Sequence, residues 1–188
     1  MTSNTSWHYE NFEPSGSAIG YRITRKLDEV QSPFQKIEIF ETTDWGNLML
    51  IDGAVMLTTR DNFLYHEMMS HPALFTHANP KQVVIIGGGD CGTLREVLKH
   101  PGVERAVQCD IDEQVTRMAE KYFPELCDSN HDPRAELLFD ALQRRTGDRR
   151  RHVHTPRGRR QTAQVRRPDK QLQVIETQHV KPRLSKKY

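Results

Sequence analysis

The sequence predicts an α/β fold: a small N-terminal β-hairpin domain, then part of a doubly wound parallel sheet, then a disordered basic tail. Turn formers punctuate short apolar runs before residue 60, and strand and helix patterns alternate over residues 81–140. The charge changes sign near residue 140: residues 1–140 hold 12 Lys and Arg against 22 Asp and Glu, whereas residues 141–188 hold 15 against 3. We therefore divide the chain into residues 1–60, 61–140 and 141–188.

Residues 1–60 have the pattern of β-hairpins. Strands are expected at residues 20–27, 35–42, 47–51 and 54–58, separated by turn-forming residues. Asp52-Gly53 lies between two apolar runs, and this pair predicts a two-residue hairpin turn because both turn positions need positive φ.

Residues 62–77 predict a helix that Pro72 kinks or interrupts. Its expected apolar face consists of Phe63, Met68, Met69, Leu74 and Phe75.

Residues 81–140 predict a β-α-β-α-β segment with parallel strands. The expected strands are 83–86, 106–111 and 136–139, and the expected helices are 93–99 and 113–122. Leu94, Val97 and Leu98 recur at helical spacing and should face the core.

The tail, residues 141–188, shows neither helical nor strand periodicity. Only 11 of its 48 residues are apolar, too few to offset the entropy of ordering the chain, so we expect disorder.

Cysteine and histidine spacing exclude several classes of protein. Cys91, Cys109 and Cys127 form no Cys-x-x-Cys pair, which favours a reducing cytoplasm over a disulfide scaffold. No apolar run approaches the roughly 18 residues of a membrane span. The nine histidines show no His-Glu-x-x-His spacing, so no metal site is expected.

The most informative stretch is a glycine loop between a strand and a helix. Gly87, Gly89 and Gly92 match the Gly-x-Gly-x-x-Gly pattern of nucleotide-binding loops, and Asp110 ends the next strand, where a carboxylate can accept hydrogen bonds from ribose hydroxyls. Asp90 inside the loop would repel a pyrophosphate but suits a sulfonium or ammonium ligand. A tight turn without a ligand, or a dinucleotide site, remains an alternative.

Four stretches resemble the polyamine aminopropyltransferase (spermidine synthase) family over residues 16–140: SPFQKIEIFET, WGNLMLIDGAVMLTTRDNFLYHEMMSHPALFTH, VVIIGGGDCGTLREVLKH and CDIDEQV. The resemblance implies a small β-domain on a Rossmann-like, methyltransferase-type domain, assembled as a homodimer or tetramer. It also implies aminopropyl transfer from decarboxylated S-adenosylmethionine to putrescine, giving spermidine and methylthioadenosine. The donor would be a co-substrate, and no cofactor is implied.

The resemblance also implies roles for individual residues. Gln35, Gly87, Gly89, Asp110 and Asp140 would bind the donor nucleoside. Tyr65, His66 and Asp90 would bind the polyamine.

Each of these residues could also have a purely structural role. Gln35 could be a surface strand residue, and His66 a core or helix-surface histidine. Glu67 could be a surface charge, Met68-Met69 core residues, and Cys91 a small packing residue. Two positions depart from the family, which usually has Gly where Cys91 stands and Glu where Asp110 stands.

Beyond Asp140 the resemblance ends. The family's general base is the first Asp of an Asp-Ser-x-Asp-Pro-type motif, and residues 141–188 contain no such motif. No catalytic residue is therefore identifiable, and we expect a truncated or frame-shifted C-terminal part. Codons can be chosen for residues 144–151 that, when read one base later, encode Ala-Ala-Pro-Ala-Thr-Val-Asp-Val. This peptide resembles the loop and strand that the family would have there.

Three other functions remain open from the sequence. The chain could be a non-catalytic nucleoside-binding or regulatory partner of a longer relative, or a conventional methyltransferase. The Arg-rich tail could bind nucleic acid, although its single aromatic residue, Tyr188, disfavours base stacking.

Overall fold

The computed structural model describes residues 6–139, 165–167 and 170–176. These residues fall into two compact units: the first ends at Asn62 and the second begins at Phe63. Among the residues described, no helix is both long and apolar enough to span a bilayer.

The first unit is an antiparallel sheet in which each strand pairs with the next along the chain. A short 3-10 helix, Glu13–Ser15, joins its first two strands. The strands are β1 (Ser6–Phe12), β2 (Ser17–Gln31), β3 (Lys36–Thr42), β4 (Asn47–Ile51) and β5 (Ala54–Thr58).

The turn between β4 and β5 confirms the prediction from Asp-Gly. Asp52 has φ of 50° and Gly53 has φ of 81°, so both turn residues adopt the left-handed conformation that a twisted hairpin requires. Strand β1 was not predicted, because its alternation of polar and apolar residues is short and ends at Asn11. Its partner is β2, which extends beyond the predicted residues 20–27 at both ends.

One face of this sheet carries a compact core. Tyr21 and Ile23 of β2 pack with Leu48 and Leu50 of β4, because alternate residues of a strand point to the same side. Trp45 packs against this cluster, and its ring meets the Tyr21 ring edge-on.

The second unit alternates helices and strands around a mainly parallel sheet. Its elements up to residue 139 are α1 (Asn62–Thr76), β6 (Gln82–Ile86), α2 (Gly92–Leu98), β7 (Arg105–Asp110), α3 (Glu113–Tyr122), α4 (Pro124–Cys127), a 3-10 helix (Asp128–His131) and β8 (Ala135–Phe139). Strand β7 pairs in parallel with both β6 and β8, as the alternating pattern predicts.

Within residues 141–188, where disorder was expected, the structure describes two short strands. β9 (Val165–Arg167) and β10 (Lys170–Glu176) form an antiparallel pair, and β10 lies parallel to β6, giving the sheet order β8-β7-β6-β10-β9. The sequence of β10 contains three apolar residues close together, Leu172, Val174 and Ile175. The low apolar content of the tail as a whole conceals this local cluster. The open edge of β6 supplies the backbone hydrogen-bond partners that such a segment needs.

Helix α1 also differs from its prediction. It runs through Pro72 without interruption. Pro72 and Met68 both lie on the exposed side, where water can satisfy the Met68 carbonyl that lacks a proline N–H partner. Phe63, Met68 and Phe75 are exposed rather than part of a core face, whereas Leu74 is buried.

The core of the second unit forms between α1, α2 and the sheet. Leu94, Val97 and Leu98 are buried as predicted. They belong to one cluster with Val83 and Ile85 of β6, and Met69 of α1 packs against that cluster.

Candidate functional site

The glycine loop leaves the carboxyl end of β6 and enters α2 through a run of left-handed residues. Gly87 and Gly88 have φ of 81° and 76°, which glycine adopts without steric penalty. The Gly87 N–H donates to the Cys109 carbonyl at 2.8 Å, so the loop is anchored to the end of β7. The Cys91 N–H donates back to the Gly88 carbonyl at 2.8 Å and closes the turn.

Asp110 holds this loop from the end of β7. Its Oδ2 accepts the Gly89 N–H at 2.9 Å, and its Oδ1 accepts the Asp112 N–H at 2.9 Å. A carboxylate oxygen has two lone pairs, so each oxygen retains capacity for a further donor such as a ribose hydroxyl. Burial raises the pKa of Asp110 above its ordinary value, although the two backbone N–H groups oppose that shift.

Close approach between Gly89 and Asp110 explains why a glycine is needed here. A Cβ at Gly89 would lie 2.9 Å from Asp110 Oδ2 and 3.0 Å from Val115 Cβ. The Gly89 carbonyl accepts the Thr116 hydroxyl of α3 at 2.7 Å. The loop is thus held on two sides, with its geometry set before any ligand arrives.

Asp90 is buried inside the loop and faces His66 of α1. Its Oδ1 accepts the Gly92 N–H at 2.8 Å and lies 3.1 Å from His66 Nε2. The His66 ring is completely buried, and neither of its nitrogens has hydrogen-bond geometry to a partner within the part of the chain that the structure describes. A buried carboxylate is suited to a cationic ligand, since the attraction between opposite charges is stronger away from water.

Tyr65 lies next to this pair on α1. Its ring meets the His66 ring edge-on, with centroids 5.4 Å apart, and the residue is half-buried. Tyr65, His66 and Asp90, which the family resemblance assigns to the polyamine, are therefore neighbours in the second unit.

Gln35 belongs to the first unit, in the turn between β2 and β3. Its carbonyl accepts the Ser32 N–H at 3.0 Å, and its own N–H donates to the Ser32 hydroxyl at 3.1 Å. These bonds fix its backbone at the start of β3. Asp140, the remaining predicted donor ligand, lies outside the described residues.

Cys91, at a position where the resemblance implies that glycine is usual, adopts φ of 68°. A side chain in the left-handed region costs about 1 kcal/mol or more, which gives a physical reason for the family's preference. The thiol is buried against the Gly89 carbonyl and the Gln108 amide. A contact with Cys91, together with burial, raises the pKa of Cys127 in α4 well above its ordinary range.

Two supports of the loop were missed from the sequence. Thr116 and Cys127 reach it from α3 and α4, and Cys127 Sγ lies 3.9 Å from the Asp90 carbonyl. No local motif marks either residue, because each is brought to the loop only by folding of the later helices.

A second cluster, away from the loop motif, was also missed. Glu67, His71 and Glu96 place their potential metal-binding atoms within 4.8 Å of one another. Glu67 and His71 lie four residues apart, so they share a helix face. The third member, Glu96, comes from another helix, so no local histidine spacing marks the cluster.

Comparison with known proteins shows the family of this chain. Residues 6–59 match the model of the spermidine synthase tetramerisation domain, and residues 62–142 match that of the spermine/spermidine synthase domain. The chain belongs to the spermidine synthase family.

Relatives of this family are similar over the same region. The polyamine aminopropyltransferases of Xanthomonas axonopodis pv. citri (strain 306) and Xanthomonas campestris pv. campestris (strain B100) are each 82% identical over 140 residues. That match covers 74% of this chain and 49% of each relative, so the chain spans about half the length of these relatives.

Solved structures of the spermidine synthase family confirm the fold. The crystal structure of spermidine synthase from Thermotoga maritima matches with a TM-score of 0.67 and 44% identity, over 71% of this chain and 47% of that one. A spermidine synthase in complex with the transition-state analogue AdoDATO matches with the same TM-score and identity, over 45% of its length.

Proposed function

We propose that this chain binds decarboxylated S-adenosylmethionine and serves aminopropyl transfer to putrescine, the reaction that yields spermidine and methylthioadenosine. The observation that carries the proposal is the loop geometry: a buried acid, Asp90, sits inside a glycine turn whose neighbour, Asp110, retains acceptor capacity at the adjacent strand end. Family membership supports the same reaction, since the relatives are named polyamine aminopropyltransferases.

Each predicted residue has a proposed task. Asp110 accepts the ribose hydroxyls, Gly87 and Gly89 let the backbone approach the nucleoside, and Gln35 and Asp140 bind the rest of the donor. Tyr65, His66 and Asp90 bind the amine groups of the polyamine. Burial of Asp90 and His66 excludes water and strengthens the attraction between carboxylate and ammonium.

The chemistry is displacement at carbon by an amine, with a sulfonium as the leaving group. An aliphatic amine with a pKa of about 10.4 is almost wholly protonated at neutral pH, so a general base and correct alignment are required. The residues that we assign bind and orient. None of them is assigned as that base.

The proposal also covers the cofactor, the assembly and the location of the chain. The donor acts as a co-substrate, without a separate cofactor. The chain assembles with further copies as a dimer or tetramer, for which its match to a tetramerisation domain is the support. We place it in the cytoplasm, where putrescine and the donor would be its small-molecule partners.

Calorimetric titration of the chain with decarboxylated S-adenosylmethionine tests the binding. We expect Asp110→Asn to weaken binding about 10- to 100-fold, because a hydrogen bond to a charged group contributes about 1.5–3 kcal/mol. Asp128→Asn is the matched control: Asp128 is exposed on the 3-10 helix before β8 and should not affect binding.

Two further titrations distinguish the competing functions. Preference for ordinary S-adenosylmethionine over the decarboxylated form would indicate a methyltransferase, and preference for a dinucleotide would indicate a dehydrogenase-type site. Either result contradicts the proposal.

A specific observation favours a second candidate, a non-catalytic nucleoside-binding partner: residues 141–188 contain no Asp-Ser-x-Asp-Pro-type motif. An aminopropyl-transfer assay separates the two functions. Binding of the donor with transfer supports the enzyme, and binding without transfer supports the partner.

A further inference from the structure

Helices α1 and α2 bring three potential metal ligands together. Glu67 and His71 lie one turn apart on α1, and Glu96 lies on α2. One ligand atom from each residue lies within 4.8 Å of the other two, and His71 Nε2 is 3.3 Å from Glu96 Oε2. Zinc bonds of about 2.0–2.2 Å in a tetrahedron place neighbouring ligand atoms about 3.3–3.5 Å apart, so this pair already has the required spacing.

A second histidine, His100, holds the orientation of the His71 imidazole through its Nδ1. His71 Nδ1 lies 2.9 Å from His100 Nε2, a hydrogen-bond distance. The Phe75 ring packs against both imidazoles, with centroids 5.7 Å and 4.8 Å away. Metal-binding histidines in proteins usually have their second nitrogen held by such a partner, which fixes the ring and directs the first nitrogen at the ion.

The carboxylate of Glu96 is fully buried and therefore held in place. Arg95 Nε contacts its Oε1 at 3.0 Å. Lys99 Nζ contacts its Oε2 at 2.6 Å, from a side chain that is 55% exposed. Lys99 Nζ also lies 2.8 Å from Oε1. A metal ion at Glu96 would therefore compete with the Lys99 ammonium for this carboxylate, and the partly exposed side chain of Lys99 can be displaced into solvent.

We propose that Glu67, His71 and Glu96 form a binding site for a divalent first-row transition metal such as Zn²⁺, with Lys99 as its built-in competitor. One imidazole and two carboxylates suit such an ion, and water would complete its coordination. The bound ion would link α1 to α2. It would therefore stabilise the second unit by a free energy that rises with the logarithm of the ion concentration once that concentration exceeds the dissociation constant.

Calorimetric titration of the full chain with ZnCl₂ tests the site, with Co²⁺ absorption as a readout of coordination geometry. We expect His71→Gln to weaken Zn²⁺ binding at least 10-fold and to abolish the visible absorption of tetrahedral Co²⁺. His131→Gln, which removes an exposed histidine of the same unit, should change neither measurement.

A second variant makes the test independent of folding defects. Lys99→Gln removes the competing ammonium from the surface and should tighten Zn²⁺ binding about 10-fold, equivalent to about 1.4 kcal/mol. Equal affinity in the original chain and Lys99→Gln would overturn the proposal.

The sequence also contains His152-Val153-His154, a second possible source of zinc binding. The double variant His152→Gln/His154→Gln should retain the tightest binding event. If that event disappears in the double variant and survives His71→Gln, zinc binds there and the proposed site is wrong.

Discussion

The imidazole of His66 lies against the backbone of Gly92, at the first residue of α2. A Cβ built on Gly92 would lie between 2.2 and 2.5 Å from three atoms of the His66 ring. The ring is fully buried and cannot move aside into solvent. The glycine is therefore needed for space, in addition to any role in the nucleotide-binding pattern.

We predict that Gly92→Ala destabilises the chain by about 1–3 kcal/mol, the range for forcing additional atoms into a packed interior. Urea unfolding followed by circular dichroism measures the change. Gly102→Ala is the matched control, because a Cβ there would meet no atom within 4 Å, and its effect should stay within about 0.5 kcal/mol. Equal stability of the two variants would contradict the packing argument.

For individual residues, the sequence predicts site features that depend on local spacing. It does not predict contacts between residues that are far apart along the chain. The glycine spacing and the position of Asp110 at a strand end can be read directly, and the structure places them side by side. The contact of His66 with Gly92, and the reach of Thr116 to the loop, join residues 26 and 27 positions apart along the chain. Neither pair produces a periodic pattern.

Arg134, just before β8, ties that strand to the end of α2. Its guanidinium donates to the carbonyls of Leu98 at 2.8 Å and Val103 at 3.2 Å, and it pairs with Asp132 at 2.8 Å. The last carbonyls of a helix lack partners within the helix, so this side chain satisfies acceptors that would otherwise depend on water.

We predict that Arg134→Met lowers the free energy of unfolding by about 1–3 kcal/mol at pH 7, because hydrogen bonds from a charged donor are lost. Arg105→Met is the control: Arg105 makes an exposed ion pair with Glu136, and such pairs contribute about 0–1 kcal/mol. Urea unfolding of both variants measures the difference, and an equal loss in the two would refute the role of Arg134.

The same variant should show a specific pH dependence. Arg134 lowers the pKa of Asp132 from 3.8 to about 2. A depressed carboxylate pKa stabilises the folded state above about pH 4, and that contribution disappears as the pH falls toward 2. The difference in free energy of unfolding between the original chain and Arg134→Met should therefore narrow as the pH falls from about 4 to about 2, while the part due to the carbonyl bonds remains.

Most elements up to residue 139 were predictable because their patterns are strong. The bounds of β4, β5 and α3 agree with the expected residues. Those of β6 and β8 differ by one residue at one end, and those of α2 and β7 by one residue at both ends. β1 and β10 were missed, since each is defined by the edge with which it pairs, β2 in one case and β6 in the other. The partner of β10 lies 90 residues away along the chain, and such distant pairing leaves little trace in a strand's own sequence.

At the scale of the whole molecule, the first unit presents exposed aromatic side chains on β1. Trp7 and Tyr9 alternate with His8, so they share one face, and their rings stack with centroids 5.8 Å apart. About half of each side chain is exposed. An exposed apolar patch on an antiparallel sheet is typical of a protein interface, and these residues lie within the region that matches a tetramerisation domain.

We predict that the double variant Trp7→Ser/Tyr9→Ser shifts the chain toward a smaller assembly, measured by light scattering after size-exclusion chromatography. Phe34→Ser removes an equally exposed aromatic residue of the same unit and should leave the mass unchanged. An unaltered mass in the double variant would show that this face does not join copies of the chain.

The contact between the His66 ring and Gly92 has an evolutionary consequence. Two positions 26 residues apart share a space that admits an imidazole or a methyl group, but not both. Homologues that carry alanine or serine at the second position should therefore carry a residue smaller than histidine at the first. An alignment of natural variants would then show correlated substitutions at positions 66 and 92, because the two side chains share one volume.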